Sequence, residues 1–513
     1  MKITCNIIRC ALCAAVSLTL VSCHDIEGST ANREDEVVLP EPSDTWLLHS
    51  FDEISDYAGC PPANRAEIIL MRNENEHLQL VVATAGNEPL DIERDGKPDA
   101  VEFRCREVKS FGVLEDDVLV PCGDRIRPEK NILKVWLSFK ALSDAPAGTH
   151  TEVIRFRNSK CEYAVAIDVT VVDAGLPETP AIPSVFGINP DNIMLDGLTG
   201  LQKIEARKKV SDLLLEYRVS PYFSTWISGT MKTECSSSPY PWDDDRTWEY
   251  LKDPRFVRVA LPFHGLDDMQ LEAMLARADA EGILDKAFFY VWDEPTVQVE
   301  YDQIRAMGDR LHGYSEKAEI ITTFYCGKDK SDDIFGVFDI LDGATDIFCT
   351  GVWSLQSNEA RSEMCRAKLK NGQEWWQYVC MSDYPGLAFN SSGIANRALM
   401  WRCWKERTTG FLYWVVNSFS SMKPLKPRAD LPDGDGILVY PGEPFGVDEP
   451  CVSVRLERWR DGVEDYDMLE MYAMKNGREA AEALLQNVYK TPSSFTDNLK
   501  YVTALHNRLV RGY

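Results

Sequence analysis

Two adjacent carboxylates, Asp293 and Glu294, are the residues of this sequence best suited to do chemistry. They follow an aromatic and β-branched run, Phe288–Trp292, and directly precede Pro295. Two like charges this close disfavour simultaneous ionisation, so the pKa of one carboxyl group is raised. A protonated acid beside a carboxylate is what glycoside hydrolysis needs, and the preceding aromatic residues would add an apolar wall.

The same Asp-Glu-Pro motif has a second interpretation as the start of a helix. Acidic residues ahead of a first-turn proline interact favourably with the helix dipole. Pro295 favours the end of a strand instead, because it lacks a ladder donor and restricts Glu294 to extended conformations. The chain could then turn and let both carboxyl groups converge, but the motif alone leaves both interpretations open.

Beyond Pro183 the sequence alternates between strand-like and helix-like segments. Helical spacing of apolar residues occurs in three sets: Val210, Leu213, Leu214 and Tyr217; Leu271, Met274, Leu275 and Ala278; Ile304, Met307, Gly308 and Leu311. The apolar strand candidates are Ser184–Asn189, Pro221–Trp226, Phe256–Leu261, Ala287–Trp292, Glu319–Cys326, Asp346–Gly351, Glu374–Val379 and Phe411–Asn417. Eight strands with helical crossovers predict an α/β fold, a TIM-like (β/α)8 catalytic barrel over residues 184–513.

The alternative is an open, doubly wound sheet, which the lack of a GxGxxG motif after the first strand disfavours. In the barrel, Asp293 and Glu294 close the fourth strand, at the face where barrel enzymes place their catalytic groups.

The region before the barrel has the two-residue period of strands. In Tyr163–Val171 the odd-numbered residues are large and apolar or aromatic, while the others are small or polar. A turn at Asp144–Thr149 separates two further strand-like runs. This pattern predicts an N-terminal β-sandwich over residues 37–175. Three prolines within residues 176–183 predict a stiff linker that marks the domain boundary.

Aromatic residues at or near the ends of the predicted strands favour a sugar ligand, because sugar rings stack on indole and phenol rings. An equally ordinary role for such residues is to fill the core. In Trp375–Tyr378 the strand period sends Trp376 and Tyr378 to one face, which we favour as the site face. The candidate substrate-binding aromatics are Trp226, Trp292, Tyr325, Trp353, Trp376, Tyr378 and Trp414.

Two polar residues at strand ends are further binding candidates. His264 follows the third predicted strand and could reach a substrate or simply cap a turn. Asn417 ends the eighth strand and could bind a sugar hydroxyl or brace a carboxylate. Asn also commonly ends strands for turn reasons alone.

The N-terminus predicts export. Residues 1–22 combine Lys2 and Arg9 with an apolar run too short to span a membrane. The run ends in Leu20-Val21-Ser22-Cys23, which resembles a bacterial lipobox and predicts lipidation of Cys23; an ordinary cleaved signal is the alternative. The acidic tether at residues 23–36 resembles the export signal of Bacteroides-type surface lipoproteins. We therefore expect a lipid anchor in the outer membrane, at the cell surface or on the periplasmic face.

Composition narrows the possible partners. The formal net charge of −26 disfavours nucleic acid as a partner, and we expect membrane contact only through the lipid anchor. The seven histidines form no HExxH motif, and the only CxxC motif, Cys10 to Cys13, lies within the signal. We therefore expect neither a metal nor a cofactor.

The charged run Arg458–Gly462, followed by Glu464, Asp465 and Tyr466, could look like a second site. We favour a structural role, in which alternating charges begin a long C-terminal helix and pair locally.

Three C-terminal motifs, together with the Tyr290–Pro295 segment, resemble glycoside hydrolase family 123. They are RALMWRCWKERTTGFLYWVVNSF at 397–419, GDGILVYPG at 434–442 and SVRLERWRDGVEDYDML at 453–469. The resemblance runs from about Pro183 to the end of the chain, and the upstream β region is similar to the N-terminal sandwich of the family.

The resemblance implies a β-N-acetylgalactosaminidase that retains configuration and uses the substrate's own 2-acetamido group. Glu294 would protonate the glycosidic oxygen and then activate water. Asp293 would hold the acetamido N–H and stabilise the oxazolinium-like intermediate. We therefore expect an exo-acting enzyme on glycans with terminal β-GalNAc. The alternatives are a β-N-acetylglucosaminidase of the same mechanism and a non-catalytic carbohydrate-binding surface lipoprotein.

Overall fold

The computed structural model of the chain describes residues 39, 42–194, 196–356, 358–370, 372–381 and 385–512. The predicted signal at 1–22, the tether at 23–36 and the lipidation site Cys23 lie outside the described residues. Among the described residues, no helix is both long and apolar enough to cross a membrane.

The first part of the described chain is built from β-strands. Alternating apolar residues such as those of Tyr163–Val171 form them, as the sequence period predicts. The strands are β1 Thr45–His49, β2 Arg65–Arg72, β3 Asn75–Ala83, β4 Leu90–Asp95, β5 Val101–Phe111, β6 Leu114–Pro121, β7 Arg125–Ile126, β8 Ile132–Ala141, β9 Gly148–Arg157 and β10 Glu162–Gly175.

The central part forms a mixed α/β unit around a nine-stranded sheet. Its strands are β11 Ser184–Ile188, β12 Ser220–Trp226, β13 Thr233–Ser236, β14 Val259–Ala260, β15 Ala287–Tyr290, β16 Glu319–Phe324, β17 Ile347–Gly351, β18 Glu374–Val379 and β19 Gly410–Tyr413. The remaining strands are β20 Phe419–Met422, β21 Leu425–Pro427, β22 Val439–Tyr440, β23 Cys451–Ser453, β24 Tyr489–Thr491 and β25 Ser494–Phe495.

Helices connect these strands and cover the sheet. They are α1 Gly200–Glu216, α2 Asp245–Leu251, α3 Asp268–Ala280, α4 Gln298–Tyr314, α5 Phe335–Ile340, α6 Glu359–Lys368, α7 Gly393–Glu406, α8 Val454–Asn476, α9 Arg478–Leu485 and α10 Leu499–Val510. The three predicted helical sets fall on α1, α3 and α4, with Tyr217 at the C-cap of α1.

Each of the eight predicted strands has a counterpart in the nine-stranded sheet, and these eight pair in parallel. The sequence analysis missed β13, which pairs antiparallel with β12. The sheet is nearly closed, because the N–H of Ser237, just after β13, donates to the carbonyl of Ala260 in β14 at 2.9 Å. The carboxyl ends of the eight parallel strands meet at one end of this sheet, which we call the mouth.

Two layers of apolar side chains surround the nine-stranded sheet. The inner cluster includes Tyr222, Phe288, Tyr290, Trp376 and Tyr378. A separate cluster on the outside packs residues such as Phe289, Val291 and Trp375 against the helices. Side chains therefore alternate between the two layers along β15 and β18, as expected for strands.

Strands β1–β10 form two sheets. The larger has the order β1-β3-β8-β5-β6-β23-β22, and the smaller has the order β2-β10-β9-β4-β7. Residues of both sheets, such as Leu80 and Ile167, share one core. Because β22 and β23 come from the C-terminal part of the chain, the larger sheet is not built from N-terminal residues alone. The β-sandwich and its boundaries at 37–175, 176–183 and 184–513 stay predictions.

The charged residues of α8 pair mostly with distant parts of the chain, whereas the sequence pattern predicts local pairs. The Arg455 guanidinium binds Asp117 of β6, with Nε 3.0 Å from Oδ1. Glu464 accepts from the side chain of Asn75 on β3 at 2.8 Å. These groups are buried, and a buried charge must be paired where it lies. The charges of α8 therefore attach this helix to the larger N-terminal sheet.

Candidate active site

The backbone around the acidic pair departs from the predicted strand. Strand β15 ends at Tyr290, two residues earlier than predicted, and Glu294 adopts a left-handed conformation with φ of 44°. The expectation that Pro295 would hold Glu294 extended is therefore wrong. Left-handed backbone at a residue other than glycine costs on the order of 1–3 kcal/mol and is concentrated at functional sites.

Hydrogen bonds with the extra strand β13, and with the residues just before it, hold the segment that follows β15 in this conformation. The Thr233 hydroxyl donates to the carbonyl of Tyr290 at 2.7 Å. The backbone N–H of Asp293 donates to the carbonyl of Met231 at 2.8 Å. The turn that presents the acidic pair is therefore hydrogen-bonded on its neighbouring edge and does not rely on Pro295 alone.

The acidic pair does not begin a helix. Helix α4 starts at Gln298, and the carboxylate of Glu300 accepts from the N–H of Val297, the residue just before the helix, at 3.1 Å. Asp293 and Glu294 precede this helix by several residues, so the helix-start interpretation of the motif is wrong.

Three donors surround the Asp293 carboxylate. The hydroxyls of Tyr290 and Thr323 donate to Oδ1 at 2.7 and 3.0 Å, and Nε1 of Trp226 donates to Oδ2 at 3.3 Å. Burial raises the pKa of Asp293, and these three hydrogen bonds oppose that shift. These hydrogen bonds favour the carboxylate form of Asp293, while burial keeps its pKa above the usual range.

Glu294 lies in a different environment. Burial, and then the charge of Asp293, raise the pKa of Glu294 to about 7, while a hydrogen bond from the Tyr378 hydroxyl to Oε1 opposes the shift. A carboxyl group with this pKa is partly protonated at neutral pH. The pair therefore combines a proton donor with a firmly held carboxylate, which is the division of roles that acid–base chemistry requires.

Five of the predicted aromatic residues lie around the pair. Trp226 is 43% exposed, and its ring centroid is 6.2 Å from that of Trp414. On the other side, Trp353 stands edge-on to Tyr378 at 5.2 Å and lies 6.1 Å from Tyr325. The mouth therefore has aromatic surface on both sides of the acidic pair.

Two other predicted aromatics do not line the mouth. Trp292 is 4% exposed and belongs to the outer cluster, because the chain leaves the strand alternation after Tyr290. Trp376 faces inward as predicted, but its Nε1 donates to Glu374, the first residue of β18, at 2.7 Å. This contact places the indole at the opposite end of the sheet from the mouth.

The two polar candidates form backbone contacts. Asn417 accepts from the N–H of Asn189 at 2.8 Å and donates to its carbonyl at 2.9 Å. Its amide therefore holds the chain after β11, and a substrate contact for Asn417 stays a prediction. His264 donates from Nε2 to the carbonyl of Val291 at 3.0 Å, and burial lowers its pKa. A substrate contact for His264 stays a prediction.

Three residues that position the pair were not predicted from the sequence. The sequence interpretation places Tyr290 only in an apolar wall and assigns no role to Thr323 or Thr233. Strand parity could have identified Tyr290 and Thr323, because both point inward near the mouth. No motif marks Thr233, which acts through a contact to the backbone.

One cluster elsewhere has the donor set of a metal site. Ligand atoms of Glu74, Glu76 and His506 lie within 4.8 Å of one another and are buried. In the structure, His506 pairs with both carboxylates, at 2.5 Å to Glu74 and 3.2 Å to Glu76. The imidazole therefore serves as their counter-ion.

The comparison with protein families agrees with the geometry of the mouth. Residues 266–472 match the model described as glycoside hydrolase 123, catalytic domain. This part of the chain is a glycoside hydrolase family 123 catalytic domain. The family 123 domain contains Asp293, Glu294 and most of the residues that contact them, which makes the mouth the candidate active site of a glycoside hydrolase.

One solved structure shares the fold of this chain. A family 123 glycoside hydrolase from Clostridium perfringens, described for glycolipid glycan hydrolysis, matches with a TM-score of 0.65 and 14% identity. The match covers 91% of this chain and 97% of that one. A family 39 β-xylosidase from Caulobacter crescentus matches with a TM-score of 0.35 and 13% identity, over 58% of this chain and 72% of that one. No curated protein sequence matches this chain.

Proposed function

We propose that the chain is a retaining exo-β-N-acetylgalactosaminidase that hydrolyses terminal β-GalNAc by participation of the substrate's 2-acetamido group. The observation that carries this proposal is the unequal environment of the acidic pair. Glu294 has a pKa of about 7, whereas Asp293 is held by three donors. One carboxyl group is therefore equipped to move protons, and its neighbour to hold a polar group of the substrate.

In the first step, the acetamido oxygen attacks C1 of the sugar while Glu294 protonates the departing glycosidic oxygen. Asp293 accepts a hydrogen bond from the acetamido N–H and stabilises the positive charge of the oxazolinium-like intermediate. In the second step, Glu294 removes a proton from water. The water attacks C1, displaces the acetamido oxygen and thereby opens the oxazolinium ring. Two displacements at C1 retain its configuration, and no protein atom bonds to the sugar.

The aromatic surface of the mouth supports a sugar as the bound group. Trp226 and Trp414 lie on one side of the pair, and Trp353 and Tyr325 lie on the other. Aromatic rings bind the apolar faces of sugars. The Clostridium perfringens protein is described for glycolipid glycans, and glycans with a terminal β-GalNAc are the substrate class that we propose for this chain.

Kinetics on matched substrates test the proposal. We expect Glu294→Gln to slow hydrolysis of glycosides with poor leaving groups by about 10²–10⁴-fold, and that of activated aryl glycosides much less. A 2-trifluoroacetamido substrate should react more slowly by more than about tenfold, because its carbonyl oxygen is a weaker nucleophile. Equal rates for the two acyl groups would rule out acetamido participation. A higher kcat/KM on the β-GlcNAc glycoside than on the β-GalNAc glycoside would rule out the GalNAc assignment.

We also propose that the protein is exported and lipid-anchored at Cys23, in the outer membrane. The support is the lipobox-like Leu20–Cys23 segment and the acidic tether after it. Metabolic labelling with a palmitate analogue should mark the wild-type chain but not the Cys23→Ser variant. Equal labelling of both chains, or of neither, would contradict the anchor.

A further inference from the structure

Two cysteines lie opposite each other at the open end of the β5–β6 hairpin. Cys105 is in β5, and Cys122 directly follows β6. Their neighbours Arg106 and Pro121 are cross-strand partners in this antiparallel pair. Because the register of an antiparallel pair continues by one residue on each strand, Cys105 and Cys122 are the next opposed residues.

The backbone spacing of this pair suits a disulfide. Opposed residues of antiparallel strands have Cα atoms about 4.5–5.5 Å apart. Disulfides join cysteines whose Cα atoms are about 4.4–6.8 Å apart. Both side chains also lie on the same face, since both pack against the core that the larger and smaller sheets share. The two sulfur atoms can therefore meet without movement of the backbone.

The two thiols already contact each other. A hydrogen bond between them raises the pKa of Cys105 well above its usual range and lowers that of Cys122. Sγ of Cys122 also donates to the carbonyl of Cys105 at 2.8 Å. Both cysteines are free in the structure and partly exposed, so an oxidant can reach them. We propose that Cys105 and Cys122 form a structural disulfide when the chain is in an oxidising compartment.

The compartment is the part of this proposal that rests on the proposed export. Disulfides persist outside the cytoplasm, whereas thiols stay reduced within it. The signal predicted at residues 1–22 therefore decides whether the pair is oxidised in the cell. The geometry of the pair does not depend on export, so the purified protein can test the pairing separately.

Oxidation requires an acceptor of two electrons, which is the disulfide of a thiol oxidoreductase or of oxidised glutathione. The Cys122 thiolate attacks one sulfur of this acceptor, because a lowered pKa leaves more of it ionised, and the other sulfur leaves as a thiolate. Cys105 then loses its proton and attacks Sγ of Cys122, which breaks the mixed disulfide and releases the second thiolate. The two cysteines have then given two electrons and two protons to the acceptor, which ends as two thiols.

The disulfide would close the hairpin on which the C-terminal part of the chain packs. Strand β6 pairs with β23 through Val118 and Leu119. Asp117 of the same strand binds Arg455 of α8. A covalent link restricts the unfolded chain and holds β6 against β5 in the folded one. We therefore expect the oxidised protein to resist unfolding better than the reduced protein.

Mass spectrometry of the purified full chain tests the pairing. The chain is incubated with oxidised glutathione, free thiols are blocked with iodoacetamide, and trypsin is added without a reductant. Trypsin cuts after arginine and lysine, so residues 105–106 and 110–125 form two peptides. We expect these peptides to be joined through Cys105 and Cys122 in the oxidised sample, and to be separate after reduction.

Two serine variants locate the bond. Cys105→Ser should lose the joined peptide. Cys161→Ser is the matched control and should keep it, since Cys161 is also partly exposed and packs against the same core. Reduction should lower the melting temperature of the oxidised wild type by at least about 2 °C and leave that of Cys105→Ser unchanged. Equal melting temperatures for the oxidised and reduced wild type would contradict the structural role.

The same digestion of protein from cells, with free thiols blocked before lysis, tests the compartment. We expect the joined peptide in chains that carry the palmitate label. Separate peptides from labelled chains would overturn the proposal, as would separate peptides from purified protein after exposure to oxidised glutathione. A joined peptide in the purified protein, together with a chain that carries no lipid label in cells, would uphold the pairing and contradict the lipid anchor instead.

Discussion

The hydroxyl of Tyr378, at the carboxyl end of β18, donates a hydrogen bond to the carboxylate of Glu294, three strands away in the same sheet. This bond stabilises the ionised form of Glu294 and therefore opposes the rise of its pKa. Tyr378 thus limits how strongly Glu294 holds the proton that it must deliver.

Tyr378→Phe should move the alkaline limb of the pH profile of kcat/KM to higher pH. Without the hydroxyl, the pKa of Glu294 rises, so its protonated form persists further into the alkaline range. We also expect kcat/KM at the optimum to fall about tenfold, since Glu294 loses the group that orients it. Tyr325→Phe removes a hydroxyl from another tyrosine of the mouth and should leave the alkaline limb in place. An unmoved limb in Tyr378→Phe would contradict this role.

Trp226→Phe should affect the other limb of the same profile. Nε1 of Trp226 donates to Asp293 and thereby lowers the pKa of that residue. Loss of this hydrogen bond should shift the acid limb of the kcat/KM profile to higher pH, because Asp293 must be ionised to stabilise a positive intermediate. Trp414→Phe is the matched control, since that ring contacts Trp226 rather than Asp293. Movement of the alkaline limb alone in Trp226→Phe would show that the roles of the two acids are reversed.

The acidic pair should also reduce stability in a pH-dependent way. The pKa of Glu294 is about 7 in the folded chain, above the usual glutamate value of 4.5. The folded state therefore binds the proton more tightly, so the free energy of unfolding falls as pH rises from about 4.5 to 7. Glu294→Gln should be more stable than the wild type by about 2 kcal/mol at pH 8, and by much less at pH 4.5.

Urea denaturation at the two pH values measures this difference. Glu272→Gln, the same substitution at an exposed site on α3, is the control and should show no such dependence on pH. A constant difference between Glu294→Gln and the wild type across the range would mean that burial does not raise the pKa of Glu294.

Sequence patterns predicted the strands of the nine-stranded sheet well, for a physical reason. Each parallel strand is buried on both faces and therefore reads as a short apolar run. The exception, β13, is a four-residue strand with the sequence Thr-Glu-Cys-Ser, which is too short and too polar to show this signal. Its contact to Tyr290, and that of the preceding residue Met231 to Asp293, appear only when the chain is folded.

Two predictions at the acidic pair, an inward-facing Trp292 and an extended backbone at Glu294, were wrong for the same reason. Period-two alternation assumes that the strand continues, whereas β15 ends at Tyr290 and sends Trp292 outward. The preference of a residue before proline for extended backbone is also real, but tertiary contacts override it at Glu294. Sequence rules describe local preferences, and this turn is held by hydrogen bonds from another strand.

The partners of α8 were beyond sequence reasoning for a different reason. Asn75 and Glu464 are 389 residues apart in the chain, and nothing in either local sequence points to the other. A run of alternating charges on a helix normally predicts solvent-exposed pairs. Here the same residues are buried against the larger N-terminal sheet, so the helix that looked exposed is part of the core.

His506 should make stability fall at alkaline pH. Burial lowers its pKa, but Glu74 and Glu76 outweigh this effect and raise the pKa of His506 to about 9. The stabilisation is complete below the unfolded pKa near 6.5 and is lost as pH rises through about 9.

His506→Gln should therefore unfold more easily than the wild type at pH 6.5, by on the order of 3 kcal/mol, with a smaller difference at pH 9.5. Denaturation curves across this range provide the measurement. His312→Gln is the comparison: Asp346 also raises the pKa of His312, but that pair is partly exposed, so the change should have the same sign and be smaller. If the difference in unfolding free energy between the wild type and His506→Gln grew with pH, the carboxylates would not raise the pKa of His506.

The bond between Arg455 and Asp117 should couple α8 to the N-terminal sheet. Both groups are buried, and Tyr440 also donates to Asp117 at 2.6 Å. Arg455→Met alone leaves a buried carboxylate without its cation and should cost about 3–5 kcal/mol. Asp117→Asn alone leaves the guanidinium without its anion and should also be costly. The double variant removes both charges, so it should cost clearly less than the sum of the two single changes.

A double-mutant cycle by urea denaturation measures this coupling. Additivity within about 0.5 kcal/mol would show that the two residues act independently. The same cycle on the exposed pair Arg246 and Asp244 is the control and should give a much smaller coupling, since water screens that pair. A large coupling confined to the buried pair would mean that the catalytic part of the chain depends on the N-terminal sheet for its stability. Deleting the N-terminal strands should then unfold the acidic site as well.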